Sequence, residues 1–316
     1  MLTRVLPVVR VILCVVLLQL ALSVDSAQAQ SSTLVTHRIV VAPAETLAVH
    51  QQGTTGDVVV IVPALLGSHV SFRQVMAQLE PNLTQVYVVD VLGFGSSGRP
   101  KDANYSFDAQ ASRLEAVFDS IGATSVVLVC HALAGPVCYR AAHRNAAVRA
   151  LVSINGAPLE SARTTGVSTA LRFAPIIKIF GAERIARGKV RSGLIKTSLN
   201  PAWVTDEVLA AYLAPLRGKF FSMLDMLRRM ERSHEPGLLA PLLLEMPVHV
   251  ELLVSRAGDS AAMTPAELEI MQTVPGLVLT HVMDAGQYVQ EEKPAAVTAA
   301  IMRALDVAAA THALTR

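Results

Sequence analysis

Charge is scarce in this chain. Only 16% of its 316 residues are Asp, Glu, Lys or Arg, against 52% hydrophobic residues, and the formal net charge is +2. Such a composition excludes a disordered chain and predicts a large buried core. The near-neutral balance, with no Lys/Arg cluster, leaves no electrostatic footprint for nucleic acid and no site for an anionic membrane surface. Cysteine is nearly missing too, with Cys14, Cys130 and Cys138 the full set. No His, Cys, Asp or Glu spacing has the form of a metal site, so neither a metal nor a cofactor is expected. Repeats and low-complexity tracts are absent after the first 29 residues.

Those first residues have their own pattern. Arg4 and Arg10 precede an apolar run over 11–24, and Ala27-Gln28-Ala29 follows as an A-x-A cleavage signal. At about 14 residues the run is short for a bilayer span of roughly 20. Residues 1–29 therefore read as a signal peptide, and the protein as exported, periplasmic or secreted. Membrane contact is expected only through an uncleaved leader. Export permits a disulfide between the two remaining cysteines. Cys130 ends a predicted strand, however, and Cys138 lies on the second turn of the next predicted helix. Two buried free thiols are the expectation, since a bond needs Cα atoms within about 7 Å.

From there, strand-like runs alternate with helical segments, the pattern of a mostly parallel sheet covered by helices. Strands are predicted over 46–50, 58–62, 86–91, 125–129, 150–154, 248–254 and 277–282. Helices are predicted over 72–79, 107–121, 136–144 and 294–310. Leu114, Val117, Phe118 and Ile121 share one face of the second. Between 157 and 246 no buried strand is readable. That stretch is helical and broken by Pro175, Gly181, Gly188, Pro201, Pro215 and Pro236, with Thr205 a candidate N-cap. It reads as a helical cap (157–246) inserted into a core domain made of 30–156 and 247–316.

The chemistry-bearing places are few. Residues 129–135 read Val-Cys-His-Ala-Leu-Ala-Gly between a predicted strand and a predicted helix, the setting of a G-x-S-x-G nucleophile elbow. The five places are Cys130, His131, Ala132, Leu133 and Ala134. Further along come Asp90-Val91-Leu92-Gly93-Phe94-Gly95-Ser96-Ser97, Ser255-Arg256-Ala257-Gly258-Asp259, and Asp284-Ala285-Gly286-Gln287 followed by Glu292-Lys293-Pro294. With these pieces the chain resembles the α/β-hydrolase fold superfamily, in the branch with a helical cap that holds epoxide hydrolases, haloalkane dehalogenases and ester hydrolases. The resemblance runs from about residue 45 to the C-terminus.

The resemblance implies a nucleophile at 132, an acid at 259 and a base at 287. Ala132 has no reactive atom. The Gln287 amide has no basic nitrogen near neutral pH. Asp259 keeps the acid at a spacing one residue longer than usual. Pro63-Ala64 stands where the family has His-Gly, and the implied oxyanion donors are the backbone N–H groups of Leu65 and Leu133. With both elbow glycines replaced, by Cys130 and Ala134, a relaxed turn is expected. Ser68 and Ser71 read as turn or cap residues, and Asp90 as a carboxylate bonded to loop backbone. His69 and His131 are possible pocket residues.

A triad works as a unit, and losing one member costs on the order of 10⁴–10⁶ in rate. The expected function is therefore a non-hydrolytic pseudohydrolase that binds a small hydrophobic molecule. One alternative is a lyase, isomerase or cyclase using the same pocket and N–H groups, with Asp259 or His69 as acid–base group. A second is a divergent ester or epoxide hydrolase with relocated catalytic residues.

Overall fold

The computed structural model describes residues 34–65, 67–80, 83–158, 182–233, 239–255 and 263–314. The expected signal peptide and Asp259 lie outside the described residues.

Eight strands form one sheet: β1 (Val35–Ala42), β2 (Glu45–Gln52), β3 (Asp57–Val62), β4 (Thr84–Asp90), β5 (Val126–His131), β6 (Val148–Ile154), β7 (His249–Ser255) and β8 (Val278–Val282). Their order is β1-β2-β4-β3-β5-β6-β7-β8. The first two strands are antiparallel to their neighbours, and every pair from β4–β3 onward is parallel. Parallel strands connected by crossovers are covered on both faces, which is why β3 and β5 read as unbroken apolar runs. Alternation divides each run between two cores. Val60, Val62, Leu128 and Cys130 enter one core; Val59, Ile61, Val127 and Val129 enter the other.

Helices supply the two covers. On the Cys130 side lie α2 (Phe107–Ser120) and α3 (Gly135–Arg144), which follow the short α1 (Arg73–Met76). Ser106 caps α2 by accepting from Ala109 N–H, and Leu114, Val117 and Phe118 are its fully buried stripe. After β6 the described elements are all helical: α4 (Ala182–Thr197), α5 (Asp206–Leu213), α6 (Phe220–Arg232) and α7 (Leu239–Leu244). Thr205 caps α5 as its position suggests, its side chain accepting from Val208 N–H. Beyond β7 come α8 (Pro265–Met271), α9 (Val289–Glu292) and α10 (Pro294–Leu314). One side of α10, including Val297, Ile301 and Leu305, is buried against the second core.

Two local expectations are corrected, and one strand is added. The helix predicted over 72–79 is a 3₁₀ turn (His69–Phe72) running into the four-residue α1. β1 was not predicted, because it is an exposed edge strand whose only strand partner among the described residues is β2. Cys130 and Cys138 are joined in a disulfide, with Cα atoms 6.5 Å apart. Both side chains face the same core, because Cys130 falls on the side of β5 that α3 covers.

Candidate functional site

The turn from β5 into α3 is the centre of the site. Ala132 sits there at φ 51°, in the left-handed region, and a single 3₁₀ turn (Ala132–Ala134) leads into α3. An L-residue pays roughly 1–2 kcal/mol for that conformation. The predicted relaxation has not occurred, and the reason lies in packing. A Cβ placed on Gly135 would lie 3.1 Å from the Gly156 Cα, so the start of α3 presses directly on the chain leaving β6. Tyr139 of α3 secures the contact, donating to the Gly156 carbonyl at 2.7 Å and sharing a hydrogen bond with Ser153 Oγ at 2.7 Å. So short a path from β5 to α3 demands a sharp turn whatever side chain occupies 132.

His131, just before the turn, is 1% exposed. Its Nε2–H donates to the Gln287 carbonyl at 2.9 Å, and its Nδ1 accepts from the Gln290 side-chain amide at 3.1 Å. Burial pushes the imidazole down from 6.5 to about 4, against the opposing pull of the Gln287 carbonyl. The Gln287 carbonyl also accepts from Asn155 Nδ2 at 3.3 Å, and its N–H donates to the Thr197 carbonyl of α4 at 2.7 Å. The loop carrying Gln287 is thus fixed through its backbone, from the end of β5, the end of β6 and the inserted helices. Asn155, itself at φ 49°, holds β7 as well, accepting from Ser255 N–H at 2.9 Å.

A cavity of about 290 Å³ opens beside this turn. His131, Tyr288 and the 63–71 loop, through Ala64, Gly67 and Ser71, form its floor, while α4, α5 and α6 supply the opposite wall. That wall is chiefly apolar, with Val190, Leu194, Leu216, Phe220, Met223 and Leu224. Leu65 is buried in the loop and Leu133 half-buried after the turn. Ser71 Oγ donates to the Ser68 carbonyl at 2.8 Å, a turn role as expected.

His69 is not among the residues lining this cavity. Its ring stacks on His50, with centroids 3.9 Å apart. Burial, reinforced by the neighbouring His50, lowers it to about 4. His50 Nε2 lies 3.2 Å from Asp90 Oδ2, and that oxygen accepts from Ser96 N–H at 2.8 Å. Asp90 therefore has the expected loop bond, and a histidine partner that sequence spacing did not disclose.

A second buried carboxylate ties the inserted helices to the core. Glu291 Oε1 accepts from Tyr212 of α5 at 2.6 Å and from Arg73 at 2.5 Å. Desolvation raises the Glu291 pKa despite these donors and holds the Tyr212 hydroxyl well above its ordinary value. Glu292 accepts from the N–H groups of Leu199, Asn200 and Gly286. Neither glutamate had a sequence signal beyond the Glu-Lys-Pro that follows Gln287.

A mostly parallel eight-stranded sheet, covered on both faces and carrying a left-handed residue between β5 and α3, defines an α/β-hydrolase fold. A family model described as the alpha/beta hydrolase fold matches residues 57–174. No curated protein matches it in sequence. Among solved structures, a membrane phospholipase A, a bacterial virulence factor, superimposes with a TM-score of 0.71 at 18% identity, covering 96% of this chain and 96% of that chain. The bromoperoxidase from Bacillus anthracis gives 0.70 at 14% identity, covering 86% and 100%. The haloalkane dehalogenase DbeA from Bradyrhizobium elkani USDA94 gives 0.65 at 21% identity, covering 88% and 100%. At these identities the likeness establishes the fold.

Proposed function

We propose that this chain is an exported, non-hydrolytic α/β-hydrolase-fold protein that binds a small hydrophobic molecule. One observation carries the reading: the elbow stands in its left-handed conformation beside an apolar cavity, and its side chain is the methyl group of Ala132. A methyl group offers no nucleophile, and the Gln287 amide offers no base, so the triad is degenerate at two positions. The buried Cys130–Cys138 bond supports an oxidising compartment. The lyase, isomerase or cyclase alternative relied on Asp259 or His69 for proton transfer. His69 turns to His50 instead of lining the cavity, which weakens that alternative.

Two measurements test the proposal. Thermal-shift screening with apolar small molecules, together with mass spectrometry of what co-purifies, should find a ligand whose binding is blocked by filling the cavity with Leu194→Trp. In parallel, Ala132→Ser with Gln287→His should gain hydrolysis of activated esters that the unmodified protein lacks. Ester hydrolysis by the unmodified protein, surviving stringent purification, would overturn the reading.

A further inference from the structure

The ligand pocket makes no use of His50, His69 and Asp90. The geometry points to a second site formed by these three residues, one that binds a single divalent transition-metal ion of the zinc type. His50 lies on β2 and Asp90 ends β4, on strands paired with Ala48 opposite Asp90 and His50 opposite Val88. His69 enters from the turn above them. One ligand atom from each residue lies within 4.8 Å of the other two. The His50 Nε2 to Asp90 Oδ2 distance is 3.2 Å. Ligand atoms sharing a four-coordinate ion with bonds of roughly 2.0–2.2 Å stand about 3–3.5 Å apart, so this pair is already spaced for one. His69 must close by on the order of 1 Å to reach the bonding distances of such an ion. It is half-buried and starts a 3₁₀ turn, whose preceding residue, Ser68, provides no side-chain cap.

The polar groups point the same way. His69 Nδ1 and Asp90 Oδ1 are buried and have no hydrogen-bond partner among the described residues. Buried polar atoms are nearly always paired, and a cation is a single partner that meets both an imidazole lone pair and a carboxylate oxygen. Two imidazoles and one carboxylate make a donor set suited to zinc. Surrounding contacts orient it. Thr36 Oγ1 lies 2.9 Å from His50 Nδ1, leaving Nε2 directed at Asp90, and Ser96 N–H holds the carboxylate. Arg99, a nearby cation, donates to the carbonyls of Gly95 and Ser97 at 2.6 and 3.2 Å. An ion here would fasten the turn after Gly67 to the sheet, and with it the loop that floors the cavity.

The test uses the tag-free chain, stripped with a chelator, titrated with zinc against a chromogenic indicator and with cobalt(II) followed by visible ligand-field absorption. One equivalent should bind at micromolar concentration or below, raise the unfolding temperature and give a four-coordinate cobalt spectrum. His69→Ala, at a half-buried turn, should lose that equivalent while unfolding normally in chelator. Thr36→Val should weaken it by about 10–100-fold, and His143→Ala, outside the cluster, should retain it. The site is refuted if the unmodified chain binds no such equivalent, or if the equivalent survives His69→Ala.

Discussion

His131 makes the stability of this fold depend on acid in a way that can be measured. Its imidazole is fully enclosed, donates to the Gln287 carbonyl and accepts from Gln290. Enclosure lowers the folded-state pKa from 6.5 to about 4. Between those values the unfolded chain takes up a proton that the folded chain refuses, so stability is intact above pH 6.5 and falls as the pH drops toward 4. At roughly 1.4 kcal/mol per pKa unit the total loss from this group is about 3 kcal/mol, with about 2 kcal/mol already gone at pH 5. Urea unfolding of the unmodified protein and of His131→Gln at pH 7, 6 and 5 isolates the contribution, because other titrating groups are common to both. The unmodified protein should lose about 2 kcal/mol relative to the variant by pH 5. A difference that stays flat would refute the reasoning. It would mean that Gln290 turns its Oε1, unpaired among the described residues, toward Nδ1 and so accommodates the imidazolium.

Three further perturbations address the same region. Ala132→Gly should raise the urea midpoint, since relief of the left-handed alanine outweighs glycine's extra unfolded-state entropy by about 0.5–1 kcal/mol; a lowered midpoint would show that the turn is unstrained. Tyr212→Phe should cost about 1–3 kcal/mol by removing a donor from the buried Glu291 carboxylate, and thermal unfolding with limited proteolysis should place the damage in α4–α6. Peptide mapping after alkylation under denaturing, non-reducing conditions should leave Cys130 and Cys138 unmodified. Replacing both by Ala should cost about 2–3 kcal/mol in chain entropy for so short a loop; quantitative alkylation of the native-sequence protein would contradict the bond.

The parts of the fold that were legible in sequence are those whose buried residues form an unbroken apolar run or a single stripe. β3 and β5 are β-branched and apolar at nearly every position, and α2 shows its stripe at Leu114, Val117 and Phe118. β1 escaped notice because its exposed surface interleaves His37 and Arg38 with Val35 and Val40, an edge pattern that resembles a loop. The turns that hold Ala132 and Gln287 were legible from the elements on either side of them. What surrounds them was not. The Cys130–Cys138 bond depends on which side of β5 faces α3. The Tyr212–Glu291 contact joins residues 79 apart in sequence. The His50–His69–Asp90 cluster depends on β2 lying beside β4 rather than beside β3, a choice of sheet order that residue spacing does not encode.

The persistence of the elbow changes what its geometry can be taken to mean. If a left-handed turn of this kind existed only to expose a reactive side chain, an alanine in it would leave nothing to hold the strain. Here the strain is held by the close approach of Gly135 to Gly156, by the disulfide into α3 and by His131 bonded to Gln287. Equally, the Gln287 loop is held by its backbone, through His131, Asn155 and Thr197, so its place does not depend on its side chain. A serine at 132 and a histidine at 287 should therefore enter an arrangement that already stands. Should the double variant fold, keep the His131 pH dependence and still hydrolyse no ester, the missing element must lie elsewhere. The oxyanion loop would be that element: Pro63-Ala64 would then aim the Leu65 N–H away from the point that the Leu133 N–H addresses.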